Sequence, residues 1–214
     1  MKDIILKVEN ISYSVDKKTG LSGSSNSYSQ SQTVEILKNI SFEIERGKVL
    51  GISGQSGSGK STLAKILAGI FPPTSGIIQN NFKRDWSKSL QKPVQILFQN
   101  DGELINPFRK VKDVLNEAFE LKSKQNKVYT SEIDEIFDRF NLNTQLKESK
   151  GSQLSGGEKQ RIALARIVIV GPEILVLDEP FSSQDVEAQL GILNLIKKLK
   201  EEFNLTIICI SHDL

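Results

Sequence analysis

Residues 54–61, Gly54-Gln55-Ser56-Gly57-Ser58-Gly59-Lys60-Ser61, hold glycines, a lysine and a hydroxyl in the spacing GxxxxGK[ST]. Glycines let a backbone wrap a polyphosphate so that its N–H groups converge on the anion. A compact apolar stretch at 48–53 precedes the loop. Helix-forming residues from Lys60 follow it, stopped by Gly69 and Pro72. The helix start adds partial positive charge, with Thr62 in its first turn. Lys60 is placed to reach the β- and γ-phosphates of a bound nucleotide, and Ser61 to ligate Mg²⁺.

A second group follows Gly171-Pro172. Residues 174–177 (ILVL) form an apolar run that delivers Asp178 and Glu179 at its end. Ligands of open α/β sheets bind at the carboxyl ends of the strands. There Asp178 suits a magnesium shell, and Glu179 suits orienting or deprotonating an attacking water. A third group is Ser155-Gly156-Gly157-Glu158, where serine and glutamate at this spacing form a capping box at a helix start. The N–H groups of Gly156 and Gly157 are then free to face an anion. Two anion-binding helix starts in one chain imply two nucleotide contacts.

The elements that must carry these groups follow from periodicity. Short strands are predicted at 4–8 and 11–15, and a Ser/Gly-rich loop at 16–33. Strand character resumes at 34–37, and Ile40, Phe42 and Ile44 alternate with polar residues, which indicates an antiparallel sheet. Buried strands are predicted at 94–98, 174–177 and 205–210. Helices are predicted within 110–142, at 155–170 and at 185–203, with Ser131 and Asp134 as a capping box for one ending at Phe140. Strand–helix alternation with continuous apolar strands indicates a parallel sheet covered on both faces.

Leu154 followed by SGGE and KQR resembles the signature motif of ABC ATPases, and the other motifs occur in that family's order. The resemblance spans essentially the whole chain. It implies an α/β P-loop ABC cassette with three parts. These are an antiparallel β-subdomain over 1–47, a RecA-like core over 48–98 and 172–214, and a helical subdomain over 99–171. Gln99 is similar to the Q-loop glutamine, which implies a magnesium ligand beside the attacking water. Residues 182–185 (SSQD) are similar to the D-loop, which puts Asp185 near the nucleotide. His212 is similar to the H-loop histidine, a hydrogen-bond donor to the γ-phosphate, and Tyr13 resembles the aromatic that stacks on adenine. In such proteins two subunits pair head-to-tail, so Ser155, Gly156 and Gly157 would touch the triphosphate held by the partner.

Residues 94–111 and 185–212, with the Asn106-Pro107 dipeptide, look most like ATPases of dipeptide, oligopeptide and nickel importers. That implies a second ATPase subunit (a heterodimer is favoured), membrane permease subunits docking on residues 99–109, and indirectly a solute-binding protein. It also implies a peripheral place on the cytoplasmic face of the inner membrane. An exporter ATPase of the lipoprotein or macrolide type, and a soluble ABC protein outside transport, are alternatives. Two departures stand out: Gln184 where an apolar residue is usual, and an end at Leu214 where relatives continue with further strands.

Composition narrows the field. Lys plus Arg total 28 against 26 for Asp plus Glu, a net charge of +2, which gives no global attraction for nucleic acid. One cysteine, Cys209, excludes an internal disulfide. No apolar run approaches the roughly 18 residues that cross a bilayer.

Overall fold

The computed structural model describes residues 2–18, 31–87, 92–98, 105–123, 128–181 and 186–212. Two sheets organise them. The first is antiparallel, in the order β2-β1-β4, from β1 (Ile4–Lys18), β2 (Ser31–Glu45) and β4 (Ser75–Asn80). The second is parallel, in the order β3-β7-β6-β5, from β3 (Val49–Ser53), β5 (Val94–Leu97), β6 (Ile174–Asp178) and β7 (Thr206–Ser211).

The helices are α1 (Lys60–Leu67), α2 (Val111–Ser123), α3 (Thr130–Arg139), α4 (Gly156–Val170) and α5 (Val186–Phe203). Alternate residues of β6 explain its unbroken apolar run. Ile174 and Val176 pack with α1 and the antiparallel sheet, whereas Leu175 and Leu177 pack with α4, α5 and the helical segment. A strand buried on both faces needs no polar alternation.

Three sequence expectations are corrected. The break between strands at residues 8–11 is a bulge inside one long strand. Asn10 and Asn39, at φ 51° and 48°, sit at the register shifts, where asparagine tolerates the left-handed conformation. Ser41 Oγ accepts from the Asn10 N–H at 2.8 Å, and Ser12 Oγ from the Asn39 N–H at 3.0 Å, so side chains replace the missing ladder bonds. The hairpin strands also run on to Lys18 and resume at Ser31, which shortens the predicted loop.

β4 was not anticipated. It is a short, mostly exposed edge strand lent to the antiparallel sheet from beyond residue 47, with Ile78 opposite Val8. Nor does Ser131 cap α3: the helix starts at Thr130 after Tyr129, the Ser131 hydroxyl donates to Glu132 at 2.9 Å, and Asp134 pairs with Lys147 instead.

Candidate active site

The parallel register brings three strand ends into one row: Ser53 lies opposite Ser211, and Asp178 opposite Ile210. The glycine loop leaves β3 there, Asp178 and Glu179 close β6, and His212 follows β7. The cleft at this edge, about 640 Å³, is lined by Ile36, Ser56, Gly57, Gly59, Lys60, Ser61, Thr62, Glu179 and His212.

Gly59 must be glycine twice over. Its φ is +90°, and a Cβ there would meet Leu37 Cδ2 at 2.8 Å and the Ile36 carbonyl at 2.9 Å. The hairpin strand β2 therefore presses against the first turn of α1 and helps to fix the loop. Lys60 folds back along the loop, donating to the carbonyls of Gly54 at 2.6 Å and Gln55 at 3.0 Å. Gln55 also accepts from the Ser58 N–H at 3.2 Å, which tightens the turn around Ser56 and Gly57. Lys60, Ser61 and Thr62 of the first turn of α1 line the cleft, and N–H groups at a helix start lack intrahelical partners and suit an anion.

Asp178 is 4% exposed, and its Oδ1 has no hydrogen-bond partner among the described residues. Burial pushes its carboxyl above the ordinary range, while a hydrogen bond from Ser61 and the nearby charge of Lys60 pull the other way and the charge of Glu179 adds to the rise. A buried carboxylate with an orphaned oxygen beside a hydroxyl fits a hard divalent cation such as Mg²⁺. Among the described residues no three His, Cys, Asp or Glu side chains converge. A cation at Asp178 and Ser61 would complete its shell from phosphate oxygens and water.

Glu179 adopts φ +54°, rare for a residue with a Cβ, and its N–H donates to the Ile210 carbonyl at 2.9 Å. The turn aims its carboxylate across the cleft, where Oε2 lies 2.6 Å from His212 Nδ1.

The other helix start forms as the residue types dictate. Ser155 caps α4: its hydroxyl oxygen accepts from the Glu158 N–H at 3.3 Å, and Glu158 accepts from the Ser155 N–H at 2.8 Å. Gly156 is exposed, and a Cβ at Gly156 or Gly157 would have no heavy atom within 4 Å. Neither glycine lines the cleft at Lys60. One chain thus gathers Gly54–Thr62, Asp178, Glu179 and His212, and presents Ser155, Gly156 and Gly157 outward elsewhere.

Tyr13 is not among the cleft-lining residues. Its ring stacks on Phe71, with centroids 5.8 Å apart and planes 3° apart. Gln99 and Asp185 lie outside the described residues. Ile36 was missed by sequence reasoning, because alternation marks a strand residue but not the loop it will abut.

A family model described as ABC transporter matches residues 37–182. The chain is 34% identical over 189 residues to the oligopeptide transport ATP-binding protein AppF of Bacillus subtilis, covering 85% of this chain and 57% of that protein. It is 33% identical over 186 residues to the nickel import ATP-binding protein NikE of Escherichia coli, covering 84% of this chain and 69% of that protein. It therefore spans just over half the length of the oligopeptide relative. Among solved structures it resembles the dimeric ATP-binding cassette MJ0796 bound to ADP and Pi, with a TM-score of 0.71 and 26% identity, covering 98% of this chain and 88% of that one.

Proposed function

The chain belongs to the ABC transporter family, and from that premise we propose that it binds and hydrolyses ATP to power an importer of peptides or nickel. The observation that carries the reading is the placement of Glu179 and His212 across a cleft floored by the Lys60 loop, with exposed Gly156 and half-buried Gly157 at a second helix start outside that cleft. The cargo class rests on the relatives' names.

In this reading the start of α1 and Lys60 hold the triphosphate. Lys60 exchanges its carbonyl partners for phosphate oxygens. Mg²⁺ held by Asp178, Ser61 and Gln99 would neutralise charge on the β- and γ-phosphates. Glu179 orients the attacking water and takes its proton, and His212 donates to the γ-phosphate. Tyr13 offers one ring face to adenine, the other being engaged by Phe71.

The outward start of α4 engages the triphosphate on a second subunit, with Asp185 at the same seam. Closure then depends on a phosphate that hydrolysis removes, which gives the differential affinity a motor needs. That second subunit is a similar, non-identical ATPase. Residues 99–109 dock the permease, and Phe108 beside Asn106-Pro107 is 82% exposed. No helix of the described residues is long and apolar enough to cross a membrane, in keeping with a peripheral subunit on the cytoplasmic face.

The test is ATP turnover by the purified chain beside its Glu179→Gln variant. Turnover by the parent, and an ATP-stabilised dimer without turnover in the variant, are expected. A parent that binds no ATP, or a variant that hydrolyses at the parental rate, would refute the assignment.

A further inference from the structure

The turn that carries Glu179 is held at three consecutive residues. The Glu179 N–H donates to the Ile210 carbonyl at 2.9 Å. The next carbonyl, of Pro180, accepts from Gln160 Nε2 at 2.7 Å, and the one after, of Phe181, accepts from Gln189 Nε2 at 2.8 Å. Gln160 is 4% exposed, so a polar side chain has been carried into the core, where its Nε2 donates to this turn. Glu179 itself sits at φ +54°, a conformation that persists only where its surroundings over-determine it.

The two glutamines come from different places. Gln189 lies in α5, which follows residues 182–185. Gln160 lies in α4, four residues after Gly156, about one helical turn or 6 Å along the axis. α4 is a 15-residue helix with most of its residues buried, so Gln160 and the helix start at Gly156 belong to one continuous hydrogen-bonded element.

We propose that Gln160 and Gln189 are positioning residues for Glu179, and that Gln160 ties the carboxylate to the signature start of the same chain. When Gly156 and Gly157 engage a triphosphate on a second subunit, α4 shifts, and the Gln160 bond carries that shift to the turn holding this chain's own Glu179. Engagement at one cradle thereby sets the water-orienting group at the other. This rests on the hydrolytic reading of Glu179, and the two fail separately.

The test uses the full chain with Gln160→Met and Gln189→Met, which keep side-chain length and remove the donor. Two readouts are taken: steady-state ATP turnover, and hydrogen exchange at the Glu179 amide. The expected result is a fall in kcat of about tenfold or more, as small misplacements of a reacting group commonly cost. KM for ATP should stay within about twofold, and exchange at Glu179 should quicken in both variants.

Unchanged kcat and unchanged exchange in a turning-over protein would overturn the inference. So would a loss of kcat matched by an equal rise in KM, the mark of a damaged nucleotide cradle. Should Gln160→Met fail to fold, Gln189→Met decides alone, and parental kcat in it overturns the proposal. Faster exchange in a protein whose parent never hydrolyses ATP would keep the clamp and sink the hydrolytic reading.

Discussion

His212 Nδ1 lies 2.6 Å from Glu179 Oε2 across the mouth of the glycine-loop cleft. The carboxylate that suits water activation and the imidazole that suits a phosphate contact are therefore paired with each other here. Binding of a γ-phosphate would draw the imidazole to its own oxygens and free the carboxylate for water. His212→Ala is expected to keep ATP affinity and lower kcat by about a hundredfold, the scale of losing one hydrogen-bond donor to a developing charge. Equilibrium binding of a fluorescent ATP analogue and steady-state turnover check it. A variant with parental kcat would remove His212 from the chemistry.

The groups around this pair were legible in the sequence because each depends on local chemistry. The capping box of Ser155 and Glu158 forms as its spacing dictates, and the run 174–177 is buried because β6 is covered on both faces. Strand–loop–helix order around Lys60 is likewise local. Failures came where tertiary partners decide. Ser131 and Asp134 carry a plausible cap pattern, yet each finds a nearer or stronger partner in Glu132 and Lys147. Asn10 looks like a strand end, but pairing with β2 converts it to a bulge. The clamp from Gln160 to Pro180 spans 20 residues without periodicity, so nothing in the sequence announces it.

Asp178 illustrates a conflict between folding and function. Its carboxyl is buried with one oxygen unpaired, and burial raises its pKa. A carboxyl with a raised folded pKa favours the protonated native state, so its contribution is present below its unfolded pKa and lost as pH rises through the folded value. At neutral pH the charge therefore costs stability. Asp178→Asn is expected to stabilise the nucleotide-free protein by on the order of 1 kcal/mol, seen as a higher melting temperature, while abolishing magnesium-dependent turnover. Scanning calorimetry without nucleotide checks the first half. A lower melting temperature would show that Asp178 is held by compensating bonds.

Glu173 carries the opposite sign. It accepts from the indole of Trp86 at 3.0 Å, from the N–H groups of Arg84 at 3.0 Å and Lys83 at 2.9 Å, and from Arg46 at 2.8 Å. Burial pushes its pKa up, but these donors together outweigh it and the net shift is downward. A carboxyl with a lowered folded pKa adds stability that is present above its unfolded value, about 4.3, and lost as pH falls through the folded value. Arg46 also pairs with Asp3 at 3.0 Å, so the network joins the antiparallel sheet to the foot of β6. Glu173→Gln is expected to cost about 2–3 kcal/mol at neutral pH, by leaving Arg46 with a weaker partner, and to flatten the acid limb of the stability curve. Trp86 is the only tryptophan, so its fluorescence reports the loss directly. An unshifted emission spectrum with parental stability would show that the network adds nothing.

Gly156 separates folding from pairing. It is the first residue of α4 and exposed, its φ is not among the positive values, and a Cβ would meet nothing within 4 Å. A carboxylate at a helix start is moreover favourable to the dipole. Gly156→Asp should therefore leave the stability of the isolated chain within about 0.5 kcal/mol of the parent, and ATP binding at the Lys60 loop unchanged. Across a subunit seam the same carboxylate would face the terminal phosphate held by the partner, and like charges repel there strongly. ATP-dependent dimerisation and turnover should both be lost, as measured by light scattering in a Glu179→Gln background and by phosphate release in the parental one. A Gly156→Asp protein that still pairs on ATP would place the start of α4 away from the nucleotide, and the two-subunit reading of this chain would fall with it.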